Sequence, residues 1–243
     1  KNARIKMLDD LEKNLAGYAG SVQKVIKESK RGALRGIHGT LSQLISTPSE
    51  YAVAVETALG AAIQNIVTDD ENTAKRAINY LKDNRAGRAT FLPLTSVKSR
   101  PFTEKGLENC EGFVDMADRL LEFDGKYSEI IGSLLGRTAV VDNIDNGIDM
   151  AKKYSYRFKI VTLDGQVLNA GGSMTGGSRG SGAGFLSRAT EIESLKEKVA
   201  SLEKKLDEKQ ASFKTVSEEL ALVQAELDAS EAELIKTQED IIR

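Results

Sequence analysis

The residues best placed to do chemistry lie in the segment GGSMTGGSRGSGAG, residues 171–184, which holds seven of the chain's 21 glycines. Glycine-rich loops can cradle phosphate groups, but that chemistry needs a GxGxxG spacing or a Lys-Ser/Thr pair after the glycines. This segment has neither of them. Its first half, GGSMTGG, continues the strand-like run VTLDGQVLNA, and glycine in a strand is typical of a place where another backbone comes close. The pattern favours docking of a second chain there, while the glycines at 180, 182 and 184 fit a flexible tether.

The other reactive residue types are few and widely spaced. His38 is the only histidine and Cys110 the only cysteine, so we interpret both as structural rather than as a nucleophile and its base. A single cysteine excludes an internal disulfide and a zinc site of paired CxxC motifs. Asp69, Asp70 and Asp142 follow predicted strands, where open sheets often bind ligands. Helix capping is the favoured role, and a nucleotide- or small-ligand-binding α/β enzyme domain is the alternative function.

The elements that position these residues alternate between β-branched runs and helical stretches. The predicted strands are Ile63–Thr68, Ala89–Leu94, Thr138–Asp142 and Phe158–Leu163. The predicted helices are Ser49–Leu59, Asp70–Asn84, Tyr127–Leu135 and Asn143–Tyr154. A loose internal repeat relates ETALGAAIQNIVTDDENTAKRAINYL to IGSLLGRTAVVDNIDNGIDMAKKY. The expected fold class is α/β (α+β), with two related small lobes built on mixed sheets.

Both ends of the chain carry heptad repeats. The predicted seam is formed by Leu8, Leu11, Leu15, Tyr18, Val22 and Val25 in the opening arm and Ile192, Leu195, Val199, Leu202 and Leu206 in the closing arm. A helix with one narrow apolar stripe needs a partner helix. Because both arms leave one domain, they must run antiparallel within the chain. The register that matches their heights pairs Leu15 with Leu202, Leu11 with Leu206, Tyr18 with Val199 and Val22 with Leu195.

The charge distribution supports the same organisation. Residues 191–243 carry eight basic and fourteen acidic side chains, a net of minus six, whereas residues 1–30 carry seven basic and four acidic ones, a net of plus three. Arms of opposite sign suit each other as partners. The predicted domains are an arm at 1–30, one lobe at 31–100, a second lobe at 101–187 and an arm at 188–243.

Several ordered motifs resemble one known family. The motifs RGIHGTLSQLI, ETALGAAIQNIVTDD, GRATFLPL, LLGRTAVVDN and RFKIVTLDGQVLNAGGSMTGG lie between the two arms. This order is similar to the hinge of a structural maintenance of chromosomes (SMC) protein of the bacterial type. The resemblance implies a two-lobed hinge that forms a homodimer in chromosome condensation and segregation. It also implies that the ATPase heads, with their ATP, magnesium and accessory subunits, lie outside this fragment, which would itself be no enzyme and need no cofactor.

The resemblance places the dimer contact at the glycine segment. The expected interface residues are Gly171, Gly172, Ser173, Met174, Thr175, Gly176 and Gly177 in the second lobe, facing Arg88, Ala89, Thr90, Phe91 and Leu92 of the partner's first lobe. Bare backbone lets a partner's edge strand approach and add main-chain hydrogen bonds. A double Asp substitution at Gly172 and Gly177 is therefore expected to oppose dimerisation.

Hinges of this type can bind DNA, and basic residues near the arm junction are the expected carriers. The candidates are Lys24, Lys27, Lys30, Arg31, Lys152, Lys153, Arg157, Lys159 and Arg179. Many bacterial relatives carry a lysine cluster after GGSMTGG, whereas this chain has Arg179 alone there. The part between the arms is near charge balance, with nineteen basic against eighteen acidic side chains. This argues against strong binding, since affinity for nucleic acid depends largely on phosphate neutralisation. A solvated basic face is the alternative interpretation.

Composition sets the compartment that we expect. The sequence has no signal peptide and no apolar run long enough to span a membrane, and its single cysteine fits a reducing environment. We therefore expect a cytoplasmic, nucleoid-associated piece of a longer protein, with no membrane partner.

Overall fold

A computed structural model describes residues 2–13, 15–177 and 184–242. The chain forms two compact units, one of residues 3–193 and one of residues 194–243 with the first two residues. The larger unit holds all the strands of the described residues, and the smaller one consists largely of the outer part of one long helix. No helix among the described residues combines the length and apolar character that crossing a membrane requires.

The first lobe is a three-stranded sheet with helices around it. Its strands are β1 (Ile37–Thr40), β3 (Ile66–Thr68) and β4 (Phe91–Pro93), in the order β1-β3-β4. Its helices are α3 (Leu41–Leu44), α4 (Ala52–Leu59) and α5 (Glu71–Asp83), with a 3₁₀ turn at Gly60–Gln64. Strands β3 and β4 are parallel. Parallel strands need a crossover connection, and helix α5 provides it. The β-strand at 37–40, which follows RG in the sequence, was not among the predicted strands.

The second lobe is a five-stranded sheet of mixed direction. Its strands are β5 (Phe113–Met116), β7 (Thr138–Val141), β8 (Lys159–Thr162), β9 (Val167–Leu168) and β10 (Met174–Thr175), in the order β10-β9-β8-β7-β5. Its helices are α6 (Ser128–Leu135) and α7 (Ile144–Lys153). A separate two-stranded ribbon pairs β2 (Ile45–Ser46) with β6 (Glu122–Phe123). The four predicted strands and four predicted helices are all confirmed, with bounds shifted by at most a few residues, and the mixed-sheet α/β fold class is confirmed with them.

The two lobes repeat one arrangement. In each lobe a helix precedes a buried strand, a second helix crosses over to a parallel neighbour, and a further strand lies antiparallel on the other side. Asp70 caps α5 by accepting the Thr73 amide, and Asn143 caps α7 by accepting the Asn146 amide. These caps confirm Asp70 in the role that the sequence predicted, and the Thr73 amide lowers the pKa of the Asp70 carboxyl.

One apolar core extends through both lobes. It includes Leu41, Val55, Val67 and Leu92 from the first lobe and Ile131, Val140, Val161 and Val167 from the second. Two smaller clusters lie to either side, one under α5 and the opening arm and one under α7. The shared core packs the two sheets against each other. It does not define where one lobe ends, so the predicted boundary at residue 100 stays a prediction.

The opening arm is not one continuous helix, which corrects a prediction. Helix α1 (Asn2–Lys13) and helix α2 (Gly20–Lys30) are separated by a turn in which Leu15 and Gly17 have φ values of 53° and 91°. The apolar cluster under α5 and the opening arm, called the first-lobe cluster below, buries Leu15, Tyr18, Val22 and Val25. The heptad repeat therefore marks residues that pack on the first lobe as well as residues of an arm.

The predicted register is wrong for Tyr18. Its ring lies 4.6 Å from the ring of Phe185, two heptads before the expected partner Val199. Arg188 Nη1 donates to the Ala16 carbonyl at 3.1 Å, and Arg4 pairs with Glu191 at 3.1 Å. The turn interrupts the opening arm. The residues of the closing helix that contact it are therefore those near the start of that helix, Phe185, Arg188 and Glu191.

The closing arm is a single helix, α8 (Phe185–Ile242). Ile192 is buried, and Leu195 and Val199 are partly buried. The outer heptad residues of this helix, which lie in the smaller unit, are exposed. They are Leu202, Leu206, Phe213, Val216, Leu220, Val223, Leu227 and Leu234. A helix with such an apolar stripe needs a partner helix. The pairing of these residues with another helix therefore stays a prediction.

Candidate dimer interface

The glycine segment forms the outer edge of the second-lobe sheet. Strand β10 pairs antiparallel with β9 through Met174 opposite Leu168 and Thr175 opposite Val167. No strand among the described residues lies on the other side of β10. All seven residues from 171 to 177 are exposed, with Met174 54% exposed. The segment carries neither a charge nor a proline, the devices that usually protect an open strand edge.

Each glycine of this segment has a reason within the chain to lack a side chain. Gly171, Gly172 and Gly177 have φ values of 88°, 94° and 131°, where side-chain-bearing residues are strained. Gly176 has no such φ, but a Cβ there would run into Oε1 of Gln166. The interpretation that the glycines are bare because a partner docks on them is therefore incomplete, since the local backbone already requires them. Next to Gly171 and Gly177 the Cβ direction is open space.

Side chains from the preceding turn hold the ends of β10. Gln166 Oε1 accepts the Gly177 amide at 3.0 Å, and Asn169 Nδ2 donates to Ser173 Oγ at 3.2 Å. The main-chain amide of Gln166 donates to Thr162 Oγ1 at 2.8 Å. Thr162 in turn donates to Asp164, and this hydrogen bond is the largest cause that lowers the pKa of the Asp164 carboxyl. The turn thus forms a connected polar network beneath an exposed strand.

Sequence reasoning missed Gln166, because the signal for it depends on knowing how β9 pairs with β10. In the antiparallel pairing of β9 with β10, Val167 lies opposite Thr175. The residue before Val167 must then approach the residue after Thr175, which is Gly176. A polar side chain preceding one strand and a glycine following its partner would have identified this contact.

The predicted partner edge in the first lobe is also open. Strand β4 is an outer strand, and no described strand pairs with its far side. Arg88 and Thr90 are exposed, whereas Leu92 is buried and Phe91 is partly buried. Ser21 of α2 donates its hydroxyl to the Arg88 carbonyl at 2.6 Å. A cavity of about 310 Å³ lies beside this segment, lined by Ala19, Val22, Ala61, Gln64, Asn65, Arg88, Ala89 and Thr90.

The basic residues predicted for DNA fall into two groups. Lys24, Lys27, Lys30 and Arg31 are exposed on α2 and just after it, with Arg31 paired to Glu28 at 2.6 Å. Their spacing places Lys24, Lys27 and Arg31 on one face of the helix. Arg179 lies outside the described residues.

The second-lobe candidates have partners in the chain. Lys152 lies 3.6 Å from Asp149, and Arg157 lies 3.3 Å from Glu104. Lys153 Nζ lies 3.3 Å from Cys110 Sγ, and this hydrogen bond raises the pKa of Lys153. Lys159 does not fit the DNA role, because its partly buried ammonium donates to the Ala58 carbonyl at 2.8 Å and burial lowers its pKa.

The other reactive residues have structural surroundings. His38 Nε2 lies 2.7 Å from an Asp69 oxygen and Nδ1 lies 3.1 Å from the Tyr127 hydroxyl. Asp142 accepts the Asn143 amide at 2.7 Å and the Asn146 side chain at 2.8 Å. Across the described ranges, no group of three or more His, Cys, Asp or Glu side chains could hold a metal ion.

Comparison with known proteins gives this geometry its context. Residues 34–151 match the family model described as SMC proteins Flexible Hinge Domain. The chain is similar to a crystal structure of an asymmetric dimer of the Geobacillus stearothermophilus SMC hinge domain, with 40% identity and a TM-score of 0.74 over 84% of this chain and 82% of that one. It is similar to the Pyrococcus furiosus SMC hinge domain, with 30% identity and a TM-score of 0.56 over 75% of this chain and 93% of that one.

The curated relatives are much longer proteins. The chain is 39% identical over 203 residues to the chromosome partition protein Smc of Bacillus subtilis, a match that covers 82% of this chain and 17% of that protein. The two SMC hinge structures are matched over 82% and 93% of their length. This chain therefore belongs to the SMC hinge domain family.

Proposed function

We propose that this chain is the homodimerisation hinge of a chromosome-partition SMC protein, in which β10 of each protomer pairs with the β4 edge of its partner. The observation that carries the proposal is that β10 in the second lobe and β4 in the first are both outer strands, and that the whole glycine segment around β10 is exposed. Exposed edges are templates for pairing with another chain. In a twofold dimer both edges of each protomer are covered, and the two contacts are identical.

Further support comes from a related hinge domain that forms a dimer in its crystal. The Geobacillus stearothermophilus SMC hinge domain was crystallised as an asymmetric dimer. Family membership does not favour the alternative of a nucleotide- or small-ligand-binding enzyme domain. The proposal assigns ATP and magnesium binding, accessory subunits and a place at the nucleoid to the longer protein of which relatives such as the Bacillus subtilis Smc are examples.

The two-contact arrangement also suggests how such a hinge can open. A strand pairing of two or three residues forms only a few hydrogen bonds, each with a net contribution of about 1 kcal/mol. A single contact of this size is weak. Two contacts on one rigid body reinforce each other, because closing the second is an intramolecular step. One contact can therefore open while the other holds the dimer together.

The interface is tested by placing a charge at the centre of β10. Met174→Asp keeps the glycine backbone intact but buries a carboxylate if β10 is covered by a partner, and an unpaired buried charge is strongly unfavourable. We expect the dimer dissociation constant to rise about 100-fold, as an energy of about 2.8 kcal/mol implies, measured by sedimentation equilibrium.

Ile78→Asp provides the matched control. Ile78 lies on α5 and is 51% exposed, close to the 54% of Met174, but belongs to neither edge. The control is expected to remain dimeric. A fully dimeric Met174→Asp protein at low micromolar concentration would contradict the assignment of β10 to the interface.

We propose DNA as a second partner of the hinge, at the base of the opening arm. The observation that favours it is that Lys24 and Lys27 of α2 and Arg31 just after it are exposed and lie on one side, where Arg31 is also paired with Glu28. Side chains that neutralise phosphates make binding strongly dependent on salt.

This contact predicts a measurable salt slope. The triple variant Lys24→Ala, Lys27→Ala and Arg31→Ala should weaken retention on duplex DNA and reduce the slope of log affinity against log salt by about 2 to 3, since each phosphate contact contributes about 0.9. The control replaces Lys204, Lys205 and Lys209 of α8, which are exposed and distant in sequence from α2. Equal losses in both variants, or no retention of the unchanged protein at low salt, would rule out this site.

A further inference from the structure

We propose that Gln166 is a positioning residue for the dimer edge, holding the end of β10 in the extended form that a partner strand can pair with. This inference rests on the proposed function, because it assigns a role within the β10 contact. It starts from the weakness of that strand. Strand β10 contains only two residues, and the glycines at 171, 172 and 177 on either side of it have positive φ values. Glycine loses more conformational freedom on folding than any other residue.

An exposed strand of this length needs support from elsewhere. Fixing one backbone residue costs about 1 to 2 kcal/mol of conformational entropy, and glycine is the least restricted residue of all. Burial contributes little here, because residues 171–177 are all exposed. The order of the segment must therefore come largely from hydrogen bonds, and a strand ordered before binding pairs more tightly because less entropy is lost on association.

Gln166 supplies the hydrogen bond at the end where the strand pairing stops. The last pair of the β9–β10 ladder is Thr175 with Val167. Two residues after Thr175, the Gly177 main-chain amide donates to Gln166 Oε1 at 3.0 Å. The side-chain amide thus takes the place that a backbone carbonyl of a longer β9 would occupy.

Gln166 is itself fixed by its neighbours. Its main-chain amide donates to Thr162 Oγ1 at 2.8 Å, and its Nε2 lies 3.5 Å from Asp164 Oδ2. Thr162 is fully buried at the end of β8. The acceptor presented to Gly177 is therefore mounted on the rigid centre of the sheet rather than on a free loop.

Gly176 provides an independent sign of this arrangement. Its backbone lies outside the left-handed region, so its conformation would accept an alanine. The three atoms nearest to a Cβ placed at this position all belong to Gln166, and Oε1 is the closest of them. The glycine at 176 is thus explained by the side chain at 166, and the two residues form one unit.

A double-mutant cycle tests the unit. Gln166→Ala should raise the dimer dissociation constant about tenfold, and Gly176→Ala should do so by a similar factor because its methyl group displaces Gln166. In the double variant the methyl group no longer meets Gln166, so the combined rise should be about that of one single variant rather than the product of both. Gln23→Ala is the control and should leave dimerisation unchanged, because it removes a glutamine side chain of α2 that donates to the Tyr18 carbonyl just before that helix.

A second measurement separates positioning from general stability and from the interface itself. In the Met174→Asp background the protein is expected to be monomeric, and hydrogen exchange of the Gly177 amide then reports Gln166 alone. Adding Gln166→Ala should speed that exchange at least about tenfold while the melting temperature stays within a few degrees. If Met174→Asp leaves the dimer intact, the proposed function fails. If Met174→Asp separates the dimer but the two alanine effects multiply, or Gly177 exchange is unchanged, the role of Gln166 is wrong.

Discussion

Gly176 and Gly177 are neighbours in one motif, yet they are glycine for different physical reasons. Gly177 has a φ of 131°, which side-chain-bearing residues rarely adopt, whereas Gly176 is limited only by Gln166. A substitution at Gly172 or Gly177 therefore strains the monomer before any partner approaches. The Asp substitutions that the sequence suggested at those two positions would mix backbone strain with loss of contact. Met174, whose side chain is exposed on the same strand, isolates the contact.

At the scale of elements, the turn between α1 and α2 changes what the opening arm does. A continuous heptad helix would carry Leu15, Tyr18 and Val22 along one stripe. The positive φ values of Leu15 and Gly17 end α1 instead, and α2 starts again on the body of the hinge. Helix α2 then packs Val22, Val25 and Ile26 into the first-lobe cluster. The arm is thereby attached to the lobe by a buried helix rather than by a loop.

Two neighbouring glycines test this turn. Gly17→Ala should lower the free energy of unfolding by about 1 kcal/mol, because an alanine at φ 91° is strained while a Cβ there would make only ordinary contacts with Phe185 and Arg188. Gly20→Ala should be neutral or stabilising by up to about 1 kcal/mol, since Gly20 begins α2 and nothing lies within 4 Å of its Cβ direction. Chemical denaturation of both variants measures the difference. Equal effects of the two substitutions would contradict the described turn.

At the scale of the whole hinge, the two lobes share one core. Ile130 and Ile131 of α6 belong to the same apolar cluster as Val55 of α4 and Val67 of β3. Lys159 of β8 also donates to the C-terminal turn of α4 through the Ala58 carbonyl. Two lobes that bury their helices against each other are expected to unfold together, as single cooperative units do.

This cooperativity is tested from the second lobe. Ile131→Ala should lower the free energy of unfolding by about 3 kcal/mol, because Ile131 is fully buried and its truncation leaves a cavity. Native-state hydrogen exchange should then lose equal protection in β7, within the same lobe, and in β3, in the other lobe. The exposed change Ile78→Ala should alter neither strand measurably. Protection that falls in β7 but is kept in β3 would show that the lobes open separately.

The sequence predicted the elements with regular patterns and missed those set by contacts distant in sequence. The β-branched runs and the Asp70 cap identified β3, β7, β8 and α5, because periodicity and capping are local. The short strands β2 and β6 depend on pairing partners, and a two-residue strand has no periodicity to detect. The register of Tyr18 with Phe185 was also out of reach, since it follows from the turn at Leu15 to Gly17.

The candidate site shows the same division. The glycine edge was identified from composition and from family resemblance, and the structure places it on an open strand. Gln166, the partner of Gly176 and Gly177, could be found only once the pairing of β9 with β10 was known. Lys159 looked like a surface lysine in the sequence, but its ammonium binds a helix carbonyl because α4 and β8 meet in the shared core.

The hydrogen bond from Ser21 to the Arg88 carbonyl has a mechanical consequence. Ser21 lies in the first turn of α2, and Arg88 immediately precedes the residues that lead into β4. A force that swings the arm must either pull this backbone segment with it or break the bond. Tension carried along the arm would thus reach the β4 edge, the partner contact proposed above, through this hydroxyl as well as through the buried face of α2.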